Sequence, residues 1–324
     1  MGASDRGINE QIARQLGFGW YLAWSVQSGA FRSAQVEYVP MIRLAPDGTP
    51  RPQGRELLAA VDALPGALWL IGNEPDVKWQ DGGPPDVYAQ AYHDLYVQLK
   101  SRDPTCQVAI GGVSQPTPLR LRYLDQVLEE YLSRYGEPMP VDVWNVHNFI
   151  LHEERDSWGV DIPPGMPDSI GVQRAISDHD DMTIFRQQIR DMRRWMKARG
   201  QQNKPLIVSE YGILMPNDYG FPPESVRRFM LSSFEFLRTA TDPDLGYPPD
   251  GYRLVQRWCW FSLSSASYPT GDLLQSDGQT LTPLGEAFRR YAYSSETNLL
   301  ERTRAHMHLA TFPLLPFVIP TRAW

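Results

Sequence analysis

The stretch LWLIGNEPD, residues 68–76, decides how the chain is read. Leu68, Trp69, Leu70 and Ile71 form a continuous apolar run, the pattern of a strand buried on both faces in a parallel sheet. The run ends abruptly in Gly72, Asn73, Glu74 and Pro75, and the proline stops the ladder. A carboxylate here adds no stability, because burying it unpaired costs several kcal/mol. Two readings of Glu74 follow. It is a turn or helix-cap acid, the ordinary role of a strand-end glutamate, or it is held at the mouth of a barrel with Asn73 beside it as donor and acceptor.

A second copy of the arrangement favours the mouth of a barrel. Residues 204–212 read KPLIVSEYG, with an apolar run of Leu206, Ile207 and Val208 ahead of Ser209, Glu210, Tyr211 and Gly212. Two buried parallel strands, each delivering a glutamate at its C-terminal end, supply the paired carboxylates of glycosidic bond hydrolysis. One is protonated to help the leaving oxygen depart, and the other is ionised to attack or stabilise the sugar carbon. Only a closed sheet brings residues so far apart in sequence together. In retaining enzymes the two carboxyl groups lie about 5–5.5 Å apart.

With these two motifs the chain resembles glycoside hydrolase clan A, the retaining (β/α)8 TIM barrels. The pieces GWYLAW (19–24), EYVPMIRL (37–44), IGNEPD (71–76), DVWNVHNF (142–149), PLIVSEYG (205–212) and WCWFSL (258–263) are most similar to glycoside hydrolase family 128, the β-1,3-glucanases. The resemblance runs in the same order over roughly residues 18–292. It implies Glu74 as general acid/base and Glu210 as nucleophile. It also implies Asn73 on a sugar hydroxyl beside the reacting carbon and Trp260 stacked on the sugar at the cleavage point. Arg43 stands where the family pattern has Trp, although an arginine at the end of an early strand is a general feature of the clan. Arg43 and Tyr211 are the candidates for holding the nucleophile ionised. Clan A chemistry needs no metal or cofactor, and none is expected.

The 324 residues suffice for one large barrel, which commonly takes about 250 residues or more. Residues 1–293 are assigned to it and 294–324 to a C-terminal extension of unknown role. A net charge of −7 argues against nucleic acid or an anionic membrane as the main partner. The resemblance implies a carbohydrate substrate, and a monomer is expected. Two cysteines, Cys106 and Cys259, lack metal-binding spacing and read as buried thiols. The opening MGASDRGINEQ is polar and no apolar run approaches about 18 residues. The compartment stays open, with the extracellular space favoured only if the natural start carries an export signal.

Strand and helix alternate along the chain, as in a parallel sheet. Strands are expected over 18–24, 36–44, 68–72, 107–110, 141–149, in the Glu210 segment and over 256–263. Helices are expected over 51–64, 84–103, 118–135, 178–199, 222–239 and 282–293. That makes seven strands, so one early strand of the eight is not clearly identified. Between them, 150–176 is a long loop expected to line the substrate.

Several single residues carry two readings. His147, in WNVHNF, is a satisfied core histidine or lines the site. Trp24, Trp79, Trp158 and Trp258 read first as packing, with Trp24 kept among the candidate substrate contacts. Asp76 pairs with Lys78 or orients its loop, and a metal on His152, Glu153 and Glu154 stays open. Two other classes also stay open: a non-catalytic carbohydrate-binding TIM barrel, and a metal-dependent barrel enzyme, although no Gly-rich phosphate loop follows a late strand.

Overall fold

The computed structural model describes residues 1–4 and 7–294; the expected extension, apart from Ser294, lies outside the described residues. In chain order the strands are β1 (Gly2–Ser4), β2 (Trp20–Leu22), β3 (Glu37–Val39), β4 (Met41–Leu44), β5 (Pro50–Arg51) and β6 (Leu68–Ile71), then β7 (Gln107–Ile110), β8 (Trp144–His147), β9 (Leu206–Glu210) and β10 (Arg257–Trp260). The helices between them are α1 (Glu10–Leu16), α2 (Gly54–Ala63), α3 (Pro85–Arg102), α4 (Pro118–Tyr135), α5 (Met182–Ala198) and α6 (Pro223–Thr239). A further helix runs from 283 to 294.

The result is an α/β fold built on a curled parallel sheet in the order β3-β2-β1-β10-β9-β8, beside a four-stranded sheet β5-β4-β6-β7. Only β5 runs antiparallel, against β4. Pro40 separates β3 from β4, which explains why the expected 36–44 strand is interrupted: proline has no N–H for the ladder. Its carbonyl still accepts from Leu70 N at 3.0 Å. Parallel bridges Ala109↔Val143 and Val113↔Val146 connect the β7 and β8 segments.

The early strand that the pattern left unidentified is β1. It pairs with both β2 and β10, in register Gly2↔Trp20 and Gly2↔Cys259. Gly2 is required there, because a Cβ would lie 2.6 Å from Cys259 Sγ and 2.5 Å from Trp20 O.

Two apolar layers hold the molecule together. Trp20, Leu22, Val39, Met41, Leu68, Leu70, Ala109, Val143, Ile207 and Cys259 meet in one inner cluster. The larger outer cluster packs the alternate strand residues, such as Trp69, Ile71, Val208 and Trp260, against the helices. Both cysteines are buried and free. Helix starts follow local rules: proline occupies the first turn of α3, α4 and α6, and the Asp181 side chain caps α5 by accepting from Thr183 N and Ile184 N.

Beyond β8 the chain is held by buried polar anchors. Glu153 Oε1 accepts from Gln115 Nε2, Thr117 Oγ1 and Arg120 Nη1, and its Oε2 accepts from Val172 N. Fully buried Arg120 also reaches Asp76 at 2.7 Å and the carbonyls of Val160 and Asp161. Asp76 therefore pairs with Arg120 rather than Lys78, whose ammonium joins Asp156 and Asp161. Glu153 is an anchor of the 150–176 loop. His152 instead stacks on Trp158 and contacts Glu154. Among the described residues no group of three or more His, Cys, Asp or Glu is placed to hold a metal ion.

His179 ties the same loop to the segment after β9. Its Nε2 accepts from Leu214 N and its Nδ1–H donates to Ile150 O, both at 2.8 Å, an arrangement that needs a neutral ring. Burial pushes its pKa from 6.5 down to about 4, against the pull of the Ile150 carbonyl. The neutral ring is the folded form, so its contribution is complete above the unfolded pKa of about 6.5 and is lost as pH falls toward 4. It amounts to about 3 kcal/mol. Urea unfolding of wild type and His179→Gln from pH 7 to 4 is expected to show that much extra loss in the wild type across this window. Parallel curves for the two proteins would contradict it.

Candidate active site

The chain at the end of β6 turns sharply to present Glu74. Its backbone is left-handed, φ 45°, which costs a non-glycine residue about 1 kcal/mol or more. Two hydrogen bonds hold it there: Glu74 N donates to Gly112 O at 3.1 Å, and Glu74 O accepts from Val77 N at 3.0 Å. The carboxylate does not cap a helix. Its Oε1 lies 2.8 Å from His147 Nδ1.

Glu210 arrives from the other side through a break in the β8–β9 ladder. Val146 pairs with Val208 but His147 pairs with Glu210, so Ser209 is the extra residue of a bulge. Ile207 faces the inner cluster, and strict alternation would turn Glu210 outward. The bulge shifts the alternation by one and re-aims Glu210 inward. Its Oε1 accepts the Trp24 indole N–H at 2.6 Å and lies 3.7 Å from His147 Nε2. Burial pushes the Glu210 pKa above the usual carboxylate range. The His147 charge, the Trp24 N–H and Arg43 pull it down, and the Glu74 charge adds to the rise.

His147 thus stands between the two glutamates, fully buried, one ring nitrogen toward each. Burial favours the neutral ring, but the two carboxylates outweigh it and leave its pKa above the ordinary value. Room for the ring comes from Gly112, where a Cβ would lie 2.5 Å from His147 Cδ2 and 2.8 Å from Nε2.

Arg43 is one layer back. Its Nε donates to Asp81 Oδ1 at 2.5 Å and its Nη2 to Gln80 Oε1 at 3.1 Å. The other Asp81 oxygen accepts from the backbone N–H groups of Leu44 and Asn73. One buried carboxylate thereby fixes Arg43 and Asn73 together. The Asn73 side chain approaches Gln80 Oε1 at 3.4 Å, and its Oδ1 has no hydrogen-bond partner among the described residues.

Two of the expected substrate contacts lie elsewhere. Tyr211 follows the bulge on the outer face: it is fully buried, its hydroxyl bonds Ser233 Oγ and its ring meets Phe185 and Trp260. Trp260 is fully buried too, packed on Tyr211, Phe229 and Phe234 with its N–H on Gly271 O. Neither leaves a face for a sugar. The partly exposed ring at that strand end is Phe261, which contacts Trp24, Phe149 and Tyr268. Alternation from the inward Cys259 would have found it. Nothing in the sequence pattern marked Asp81.

The arrangement offers two carboxylates in different surroundings, one hydrogen-bonded to the His147 ring and the other 3.7 Å from its second nitrogen, which has no hydrogen-bond partner among the described residues. No protein-family model matches the sequence, and no curated protein matches it. Solved structures do. One is a glycoside hydrolase family 128 subgroup II endo-β-1,3-glucanase from Pseudomonas viridiflava, with a TM-score of 0.60 at 18% identity, covering 89% of this chain and 98% of that one. A second is a subgroup I endo-β-1,3-glucanase of the same family from Amycolatopsis mediterranei in complex with laminaritriose, with a TM-score of 0.58 at 19% identity over 89% and 98% of the two chains. A third, a subgroup VII oligosaccharide-binding protein from Cryptococcus neoformans, matches with a TM-score of 0.59 at 14% identity over 90% and 93%. At these identities the likeness establishes the fold, and the chain has the fold of the glycoside hydrolase family 128 structures.

Proposed function

We propose that the protein is a retaining β-glycoside hydrolase acting on a β-glucan, with β-1,3-glucan the first candidate substrate. The observation that carries this reading is the contact of one imidazole, His147, with both Glu74 and Glu210, delivered from different strands. In this reading the two sheets are arcs of one eight-stranded (β/α)8 barrel, and residues 1–293 form the catalytic unit. The chain continuity of β3 and β4 through Pro40 and the bridges between the β7 and β8 segments support that closure.

Glu210 is the nucleophile and Glu74 the acid/base. The assignment has an internal logic. The Glu74 charge is one of the causes raising the Glu210 pKa, so a proton on Glu74 favours an ionised Glu210. The form with acid and nucleophile both ready is therefore mutually supported. Asn73, fixed through Asp81, is placed to meet a sugar hydroxyl, and Trp24 holds the attacking oxygen by its N–H. Replacing Trp24 with Phe keeps a ring but removes the donor to the carboxylate. The Glu210 pKa then rises further, and the acidic limb of the kcat/KM–pH profile is expected to move to higher pH. An unmoved limb would show that the hydrogen bond plays no part in the reacting state.

The second reading is a carbohydrate-binding protein without turnover. The burial that raises the Glu210 pKa favours it, because a protonated carboxyl group cannot attack. Reducing-sugar release from a panel of β-linked polysaccharides, β-1,3-glucan first, decides between them when wild type is compared with Glu210→Gln. Release from one polysaccharide by the wild type alone supports the hydrolase, and binding with no release supports the second reading.

A further inference from the structure

The loop that follows Glu74 is tied down by hydrogen bonds yet carries an exposed indole. Asp81 pins one end of the loop to Leu44 N, Asn73 N and Arg43, while Val77 is buried. Between them Trp79 is 72% exposed, more than any other large apolar side chain among the described residues. Its ring is not free of polar company: the Lys78 ammonium lies 4.4 Å from the ring centroid. The same ammonium bonds Asp156 at 2.8 Å and joins buried Asp161, both from the 150–176 loop. Two residues beyond Asp156, Trp158 is 41% exposed and stacked on His152.

An indole left in water on a fixed loop adds nothing to the core, and a single one would need no explanation. Here it belongs to a set. The Lys78 ammonium lies over the indole and bonds Asp156, so an exposed aromatic ring and an ion pair are gathered at one place on the surface. That set matches a pyranose ring, which offers a C–H face to an aromatic and hydroxyl groups around its edge to charged side chains. The loop is also continuous with the cleavage residues, since Trp79 follows Glu74 by five positions. The loop that carries Trp79 starts at Glu74 and closes back on Asn73, where Asn73 N donates to Asp81 Oδ2 and Asp81 N to Asn73 O.

We propose that Trp79, Lys78 and Asp156 form an outer sugar-binding subsite that holds a glucan chain away from the cleavage point. This rests on the β-glucan hydrolase reading, so the test separates the two. In a Glu210→Gln background, binding of laminaritriose and laminarihexaose is measured by calorimetry with Trp79 intact, as Trp79→Ala and as Trp79→Tyr. Loss of the indole is expected to weaken the hexaose about tenfold and leave the shorter triose within about twofold, with Tyr restoring most of the loss. Equal hexaose affinity with and without the indole overturns the subsite and leaves the hydrolase reading standing. Failure of both oligosaccharides to bind the Glu210→Gln protein overturns the β-1,3-glucan reading and the subsite together. Trp79 is exposed, so unchanged thermal unfolding of the variants shows that folding is not what the titration reads.

Discussion

Glu210→Gln is expected to lower turnover by at least about 1,000-fold on every substrate while leaving the fold intact. The amide cannot form the bond to the sugar carbon, yet it is nearly the size of the carboxylate and can still meet the Trp24 N–H with its oxygen. Far-ultraviolet circular dichroism and the urea midpoint should match the wild type within error. Glu74→Gln should behave differently. A glycoside with an acidic phenol as leaving group needs little protonation, so this variant keeps much of its first-step rate on such a substrate and loses it on a polysaccharide. Equal residual rates of the two variants on the aryl glycoside would contradict the assignment of roles.

The largest effect on stability is expected from Arg120→Met. The guanidinium is fully buried and joins Asp76, Ser114, Glu153 and two carbonyls of the 150–176 loop. Methionine fills similar space but leaves two buried carboxylates without their cation, a loss of about 3–5 kcal/mol. Urea unfolding at pH 7 measures it. The deficit should shrink in acid, because burial already holds Asp76 above the ordinary carboxylate range and a protonated Asp76 no longer needs the arginine. A variant as stable as the wild type at neutral pH would mean that the network contributes nothing net.

How much of this was legible in the sequence depends on how far each feature is set by its near neighbours. The apolar runs before Glu74 and Glu210 announce buried parallel strands, and those strands are present as β6 and β9. Proline and glycine punctuation places α3 and α4 within a residue. By contrast, β1 is three residues long and its reason for being Gly-Ala-Ser lies in Trp20 and Cys259, so no local pattern reveals it. Arg120, Asp76 and Glu153 look in sequence like surface charges, because burial of an ion pair is a tertiary fact. Trp260 and Tyr211 were placed by motif position, whereas side-chain direction is set by strand alternation and the Ser209 bulge. The residues at the strand ends were therefore findable, and which way some of them point was not.

The pairing of Gly2 with Cys259 bears on how the molecule is made. Of the described strands β1 is made before the others and sits between β2 and β10, so it keeps an unsatisfied edge until nearly all of the described chain has emerged. Closing so distant a contact is slow, and the waiting edge is open to pairing with another nascent chain. Yield on expression should therefore depend on temperature and on chaperone supply more steeply than the finished protein's resistance to heat would suggest.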